Sequence, residues 1–180
     1  MNTADVYKIL YILLGFYAVN VSYWLIAAGL FPAFVKRASD NYGMHPLKTL
    51  LIGLLTFGPI QLLGWGLAKV PNPAVKIVGT IILLLSLLVA FMGSAGLALR
   101  IGEGLKAEID ESSPWRRVLR GALVLGLSFN LPLLGWFVVL PATLVSGFGA
   151  FVLSRRAREL APVEQAQSSA AEPSAIPETR

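Results

Sequence analysis

Ten carboxylates, one imidazole and no thiol make up the reactive inventory of this 180-residue chain. The acids, Asp5, Asp40, Glu103, Glu108, Asp110, Glu111, Glu159, Glu164, Glu172 and Glu178, fall in connections, at the ends of apolar runs or in the C-terminal tail. Intramembrane proteolysis, glycosyl transfer and proton relay need ionisable groups held at depth, where their expense marks a functional path. None is expected in a membrane interior here. His45 stands alone before Pro46, and one imidazole supplies neither bis-histidine haem ligation nor a zinc site. Ser112 and Ser113 precede Pro114 and read as an amino-terminal cap, since no histidine is spaced to activate them. The absence of cysteine removes disulfides, thiolate catalysis and iron–sulfur ligation together. The expectation is a protein that is not an enzyme, with no catalytic, cofactor-binding or metal-ligating residue.

The polar groups left inside apolar runs are amides and hydroxyls: Asn20, Ser22, Gln61, Ser86, Ser128 and Asn130. Interhelical hydrogen bonding is their ordinary use. Asn20 lies among Tyr11, Tyr17, Tyr23 and Trp24, a setting that also suits a lipid, quinone or pigment. The two uses differ in geometry: convergence of Asn20, Gln61, Ser86 and Asn130 on one cavity favours binding or transport, and separate helix contacts favour a subunit. Small residues mark close helix approach. Ala142, Ser146 and Ala150 lie four apart on one helix face, as do Ala90 and Ser94, with Gly93 and Gly96 widening the second face. Asn20, Gln61, Ala90, Gly93, Ser94, Gly96, Asn130, Ala142, Ser146 and Ala150 are the candidate packing or partner contacts. Trp24, Trp65, Trp115 and Trp136 are the candidate interfacial anchors.

The elements that must carry these residues are membrane helices, because 56% apolar and 14% charged residues lie far from soluble norms of roughly 45–50% and about 25%. The pattern predicts an all-α, polytopic integral membrane protein with helices over about 6–34, 46–68, 74–100, 115–130 and 132–154. Pro32 and Lys36-Arg37 close the first, residues 38–45 form a polar connection, and Gly58-Pro59 should kink the second. Pro46 through Gly53 to Leu62-Leu63-Gly64-Trp65 is matched by Pro114 through Gly121 to Leu133-Leu134-Gly135-Trp136. This internal repeat predicts two parallel hairpins after one N-terminal helix, five crossings in all.

Charge orients them. With a turn at Asn130-Leu131-Pro132, one side carries Lys36, Arg37, Lys48, Arg100, Lys106, Arg116, Arg117, Arg120, Arg155, Arg156 and Arg158, against Lys8, Lys69 and Lys76 on the other. The amino terminus is then outside and the tail cytoplasmic. The fourth helix tolerates its arginines by snorkelling. In the following loop Arg100 and Glu103 are spaced for an i,i+3 pair, and Glu108, Asp110 and Glu111 stand opposite Arg116 and Arg117 in sequence. Residues 159–180 are rich in Pro, Ala, Ser and Glu and predict a disordered cytoplasmic tail. The net charge of +5 is accounted for by headgroups, so the expected partners are membrane lipids and other membrane subunits, with no nucleic acid.

Phe31-Pro32, Pro46 to Gly53, the apolar run closing on Arg100-Ile101-Gly102-Glu103, Gly121, Pro132-Leu133-Leu134-Gly135-Trp136 and Gly147-Phe148-Gly149-Ala150 follow one another in order. Over about 31–155 the chain thereby resembles the multi-spanning membrane module that follows the β-helical repeat of some bacterial bactofilin-like, polymer-forming proteins. The β-helical repeat itself is not in this chain. The resemblance implies a bacterial envelope protein that anchors or scaffolds other components, here expected in the inner membrane, and it supplies no catalytic residue. The functional expectation is a non-catalytic scaffold or accessory subunit of a larger assembly; the alternative is a small transporter, channel or lipid-, quinone- or pigment-binding protein.

Overall fold

The structure, a computed structural model, describes the backbone of residues 2–105, 114–131 and 133–171 and the side chains of 2–105, 115–131 and 133–156. Among the described residues six α-helices follow in order: α1 (Thr3–Leu30), α2 (Pro32–Met44), α3 (Pro46–Ala68), α4 (Pro73–Gly104), α5 (Pro114–Phe129) and α6 (Leu140–Ala171), the last fed by a π-helical turn over Gly135–Val139. The expected cap at Ser112-Ser113, the acidic cluster Glu108, Asp110 and Glu111, Pro132 of the expected turn and residues 172–180 of the expected tail lie outside the described residues. The backbone of α6 continues to Ala171, through the first part of the segment whose composition predicts a disordered tail.

Prolines set the starts. Pro32, Pro46, Pro73 and Pro114 each open a helix, where the missing N–H is no loss and the fixed φ is already helical. A residue before proline is pushed out of the helical region. Phe31 (φ −130°, ψ 55°) and His45 (φ −145°, ψ 68°) are accordingly the two breaks that isolate α2. This corrects the sequence reading in two ways: the first helix ends at Leu30, and the stretch 38–45 expected as a connection is mostly helical. Val35, Ala38, Ser39 and Tyr42, at i, i+3, i+4 and i+7, form its buried face. Asn72 caps α4 by accepting from the Ala74 N–H at 3.0 Å.

Four helical segments, Thr3–Leu30, Pro46–Ala68, Pro73–Gly104 and Gly135–Arg156, are long and apolar enough to cross a bilayer. Their outer faces carry Leu, Ile, Val and Phe in nearly continuous exposure. Water does not tolerate such a surface, whereas lipid does. The chain is a helical, membrane-embedded protein.

Helix directions follow from which residues meet. Gln61 pairs with Ser86 and Gly64 faces Gly79, so α3 and α4 are antiparallel. Thr49 faces Gly149 and Gly53 faces Val145, so α3 and α6 are antiparallel too. Gly102 faces Arg117 and Ala98 faces Gly121, so α5 opposes α4. Thus α4 and α6 run one way, and α3 and α5 the other. At 16 residues α5 is about 24 Å long, shorter than a hydrocarbon slab of about 30 Å.

Candidate functional site

The polar and small residues that positioned the sequence argument are arranged around α4, which packs against every other helix. Ala90, Gly93, Ser94, Ala95, Gly96, Ala98 and Gly102 are all buried along it. A methyl at Gly93 would run into the Gly147 carbonyl of α6, and one at Gly96 would lie 2.5 Å from the Ala38 Cβ of α2. These are close helix approaches that need a glycine, Gly93 in one and Gly96 in the other. Two further contacts share one geometry. Gly53 of α3 sits against the Val145 carbonyl and Gly149 nitrogen of α6; Gly121 of α5 sits against the Ala98 carbonyl and Gly102 nitrogen of α4. Gly149 in turn faces the Thr49 carbonyl, and Gly102 the Arg117 carbonyl.

The room opened by α4 is filled by Trp24. Expected as an interfacial anchor, it is instead fully buried, 0% exposed. Its indole N–H donates to Ser94 Oγ at 2.9 Å, and its ring meets Phe129 edge-on at 5.7 Å. A large ring with one polar atom is stable inside when that atom has a partner, and Ser94 provides it. Trp65, Trp115 and Trp136 are more than half exposed. Trp136 stacks on Phe16 at 6.1 Å, and Arg116 lies 5.6 Å over the Trp115 ring.

The interior amides do not converge. Asn20 donates to the Phe16 carbonyl of its own helix at 2.8 Å. Gln61 accepts from Ser86 at 2.9 Å across α3 and α4. Asn130 lines a cleft of about 570 Å³ with Ile9, Leu13, Trp136 and Phe137, and its buried Oδ1 has no hydrogen-bond partner among the described residues. On α6, Ser146 and Ala150 are buried while Ala142 is exposed. Ser146 accepts from the Tyr42 hydroxyl at 3.2 Å.

Sequence reasoning missed the α2 contributions because α2 itself was read as a connection. Tyr42 is one, and Glu103 with its α2 partners is another. Glu103 takes Lys36 Nζ at 3.0 Å, Ser39 Oγ at 3.3 Å and Arg100 at 3.7 Å; only the Arg100 spacing was visible beforehand. Hydrogen bonding to Glu103 holds the Lys36 ammonium above its ordinary range, against partial desolvation, with Asp40 at 3.3 Å adding to the rise. Lys36 and Glu103 edge a cavity of about 510 Å³ whose walls include Leu25, Ala28, Trp115 and Val118.

Among the described residues no three His, Cys, Asp or Glu side chains group closely enough to hold a metal ion. The arrangement does one thing well, which is to lock helices together through glycine contacts and single polar pairs. No family model matches the chain, and no curated protein or solved structure is significantly similar to it.

Proposed function

We propose that the protein is a non-catalytic membrane scaffold or accessory subunit of a larger membrane assembly, crossing the inner membrane five times with its amino terminus outside and its tail cytoplasmic. The observation that carries this reading is the separation of the interior amides. Asn20 is satisfied within α1 and Gln61 by Ser86 across α3 and α4, so among the described residues the two amides share no polar chamber through which a solute would pass. Asn130 differs: it lines an apolar cleft and its buried Oδ1 is unmet among the described residues, beside the amino-terminal half of α1, whose Val6, Tyr7, Leu10, Tyr11 and Leu14 are exposed. A buried acceptor without a donor costs about 1–3 kcal/mol, and a partner helix carrying an amide or hydroxyl would relieve it.

The opposed directions of α4 and α5 support the fifth crossing, with the short α5 completed by the residues leading into the π-helical turn and its arginines snorkelling to the headgroups. The matched surroundings of Gly53 and Gly121 support the repeat as two parallel hairpins. The resemblance to the membrane module of bactofilin-like proteins agrees with an anchoring role in a bacterial envelope. The test is site-specific photo-crosslinking in native membranes, with benzoylphenylalanine at Ile9 in the cleft or at Leu55 on the exposed face of α3. A discrete protein adduct from Ile9 only, lost in Asn130→Leu, is expected. Lipid adducts alone from both positions would sink the reading.

A further inference from the structure

The junction of α1 and α2 borders a third, partly open cavity, about 710 Å³, that no part of the scaffold reading uses. Its floor is apolar: Phe31 and Phe34 from the junction, Met92 from α4 and Phe151 from α6. Among the described residues its polar side chains are Arg37, Arg155 and Ser154, and no carboxylate lines it. Among the described residues, Asp40 and Glu103 are engaged elsewhere: Asp40 pairs with Lys36, and Glu103 with Lys36, Ser39 and Arg100.

Three details indicate what this lining would receive. The Arg37 Nε is buried and has no hydrogen-bond partner among the described residues, although a buried charged donor is among the most expensive groups to leave unmet. Arg155 is held with its guanidinium 5.6 Å over the Phe151 ring. Ser154 Oγ accepts from Asn41 at 3.2 Å, which leaves its own hydroxyl hydrogen as a further donor. Two planar guanidinium forks and one hydroxyl hydrogen match the oxygens of a phosphate. An apolar floor of aromatic rings and Met92 matches hydrocarbon. The cavity also sits where both chemistries are met together, at the Leu30 end of α1 and the Arg156 end of the apolar Gly135–Arg156 segment.

We propose that this cavity binds the headgroup of an anionic phospholipid, with the phosphate between Arg37 and Arg155 and the first acyl methylenes against Phe31, Phe34 and Phe151. Arginines scattered at a membrane boundary attract anionic lipid without a site. The cavity differs in holding a buried donor and in having a shape that can be filled.

The experiment is native mass spectrometry of the full chain released from bilayers of equal phosphatidylglycerol and phosphatidylcholine with identical acyl chains. The wild type is expected to retain one phosphatidylglycerol in preference to phosphatidylcholine. The double variant Arg37→Gln/Arg155→Gln is expected to lose that preference by about tenfold, the effect of one charge-assisted hydrogen bond or more. Arg116→Gln/Arg156→Gln, which removes the same charge outside the cavity, should keep it. Ala33→Trp fills the cavity from an exposed position without changing charge, and should lower retention even where the arginine variant fails to fold. Equal loss in both double variants, or undiminished retention in Ala33→Trp, would overturn the proposal. Displacement of the lipid by millimolar inorganic phosphate would assign the arginines to a free phosphate and overturn it equally.

Discussion

Two helix pairs of this chain, α3 with α4 and α5 with the α6 segment, carry the same sequence landmarks and pack in different ways. In the first, α3 and α4 lie together along their length: Gly64 abuts Gly79 and Leu83 near the turn, and Gln61 bonds Ser86 further in. In the second, α5 meets the start of the α6 segment only at the turn, where Gly135 faces the Ser128 and Phe129 carbonyls. Its flank turns to α1 and α4 instead, through Gly126 against Tyr17, Phe129 against Trp24 and Gly121 against Ala98. Besides these contacts, Gly53 of α3 meets Gly149 of α6 and Gly121 of α5 meets Gly102 of α4, so each pair's first helix also makes a glycine contact with the other pair's second helix. Matched landmarks in sequence thus sit in crossed contacts in space, with α4 at the crossing.

The comparison breaks most visibly at that crossing. Gly93→Leu sets a side chain against the Gly147 backbone, which cannot move aside as a flexible side chain would. We expect a loss of about 3 kcal/mol or more, the upper end of overpacking, read as thermal unfolding and retention time in detergent. Gly53→Ala and Gly121→Ala sharpen the comparison next. Their matched surroundings predict equal losses of about 1–3 kcal/mol, and Gly58→Ala, with nothing near it, should be silent. Unequal losses would show that the matched spacing from Pro46 and Pro114 does not carry a matched role. Ser146→Leu should exclude α2 sterically and cost about 1–3 kcal/mol, whereas Tyr42→Phe removes only the hydroxyl and costs about 1 kcal/mol. Unchanged detergent stability and particle size in Ser146→Leu would contradict this. The smallest effect belongs to the first pair's own bond: Gln61→Leu should cost about 0.6 kcal/mol, the usual value for one such contact inside a membrane.

Helix starts were legible because proline acts locally: Pro46, Pro73 and Pro114 restrict their own neighbours whatever the tertiary fold. Apolar length was legible for the same reason, as a property of one segment against one slab. The α2 helix was hidden because its polar composition outweighed the i, i+3, i+4, i+7 spacing of Val35, Ala38, Ser39 and Tyr42, which in hindsight marks one buried face between two prolines. Trp24 was misread for a different reason. An aromatic near the end of an apolar run fits a membrane interface equally well, and what buries it is space beside Ser94 on a helix seventy residues away. The cavity with Arg37 and Arg155 is of the same kind, since positive charge at a membrane boundary is explained by orientation alone until their shared apolar floor is known.

The measurement that tests the account most directly is native mass spectrometry of the tagged full chain, extracted in gentle detergent and read for protein and small-molecule mass together. A scaffold or accessory subunit predicts other membrane proteins at fixed stoichiometry, lost on Asn130→Leu. A lone protomer or homo-oligomer carrying a defined quinone or pigment would contradict that account and favour a binding or transport protein. One carrying only an anionic phospholipid would contradict it while leaving the arginine cavity standing.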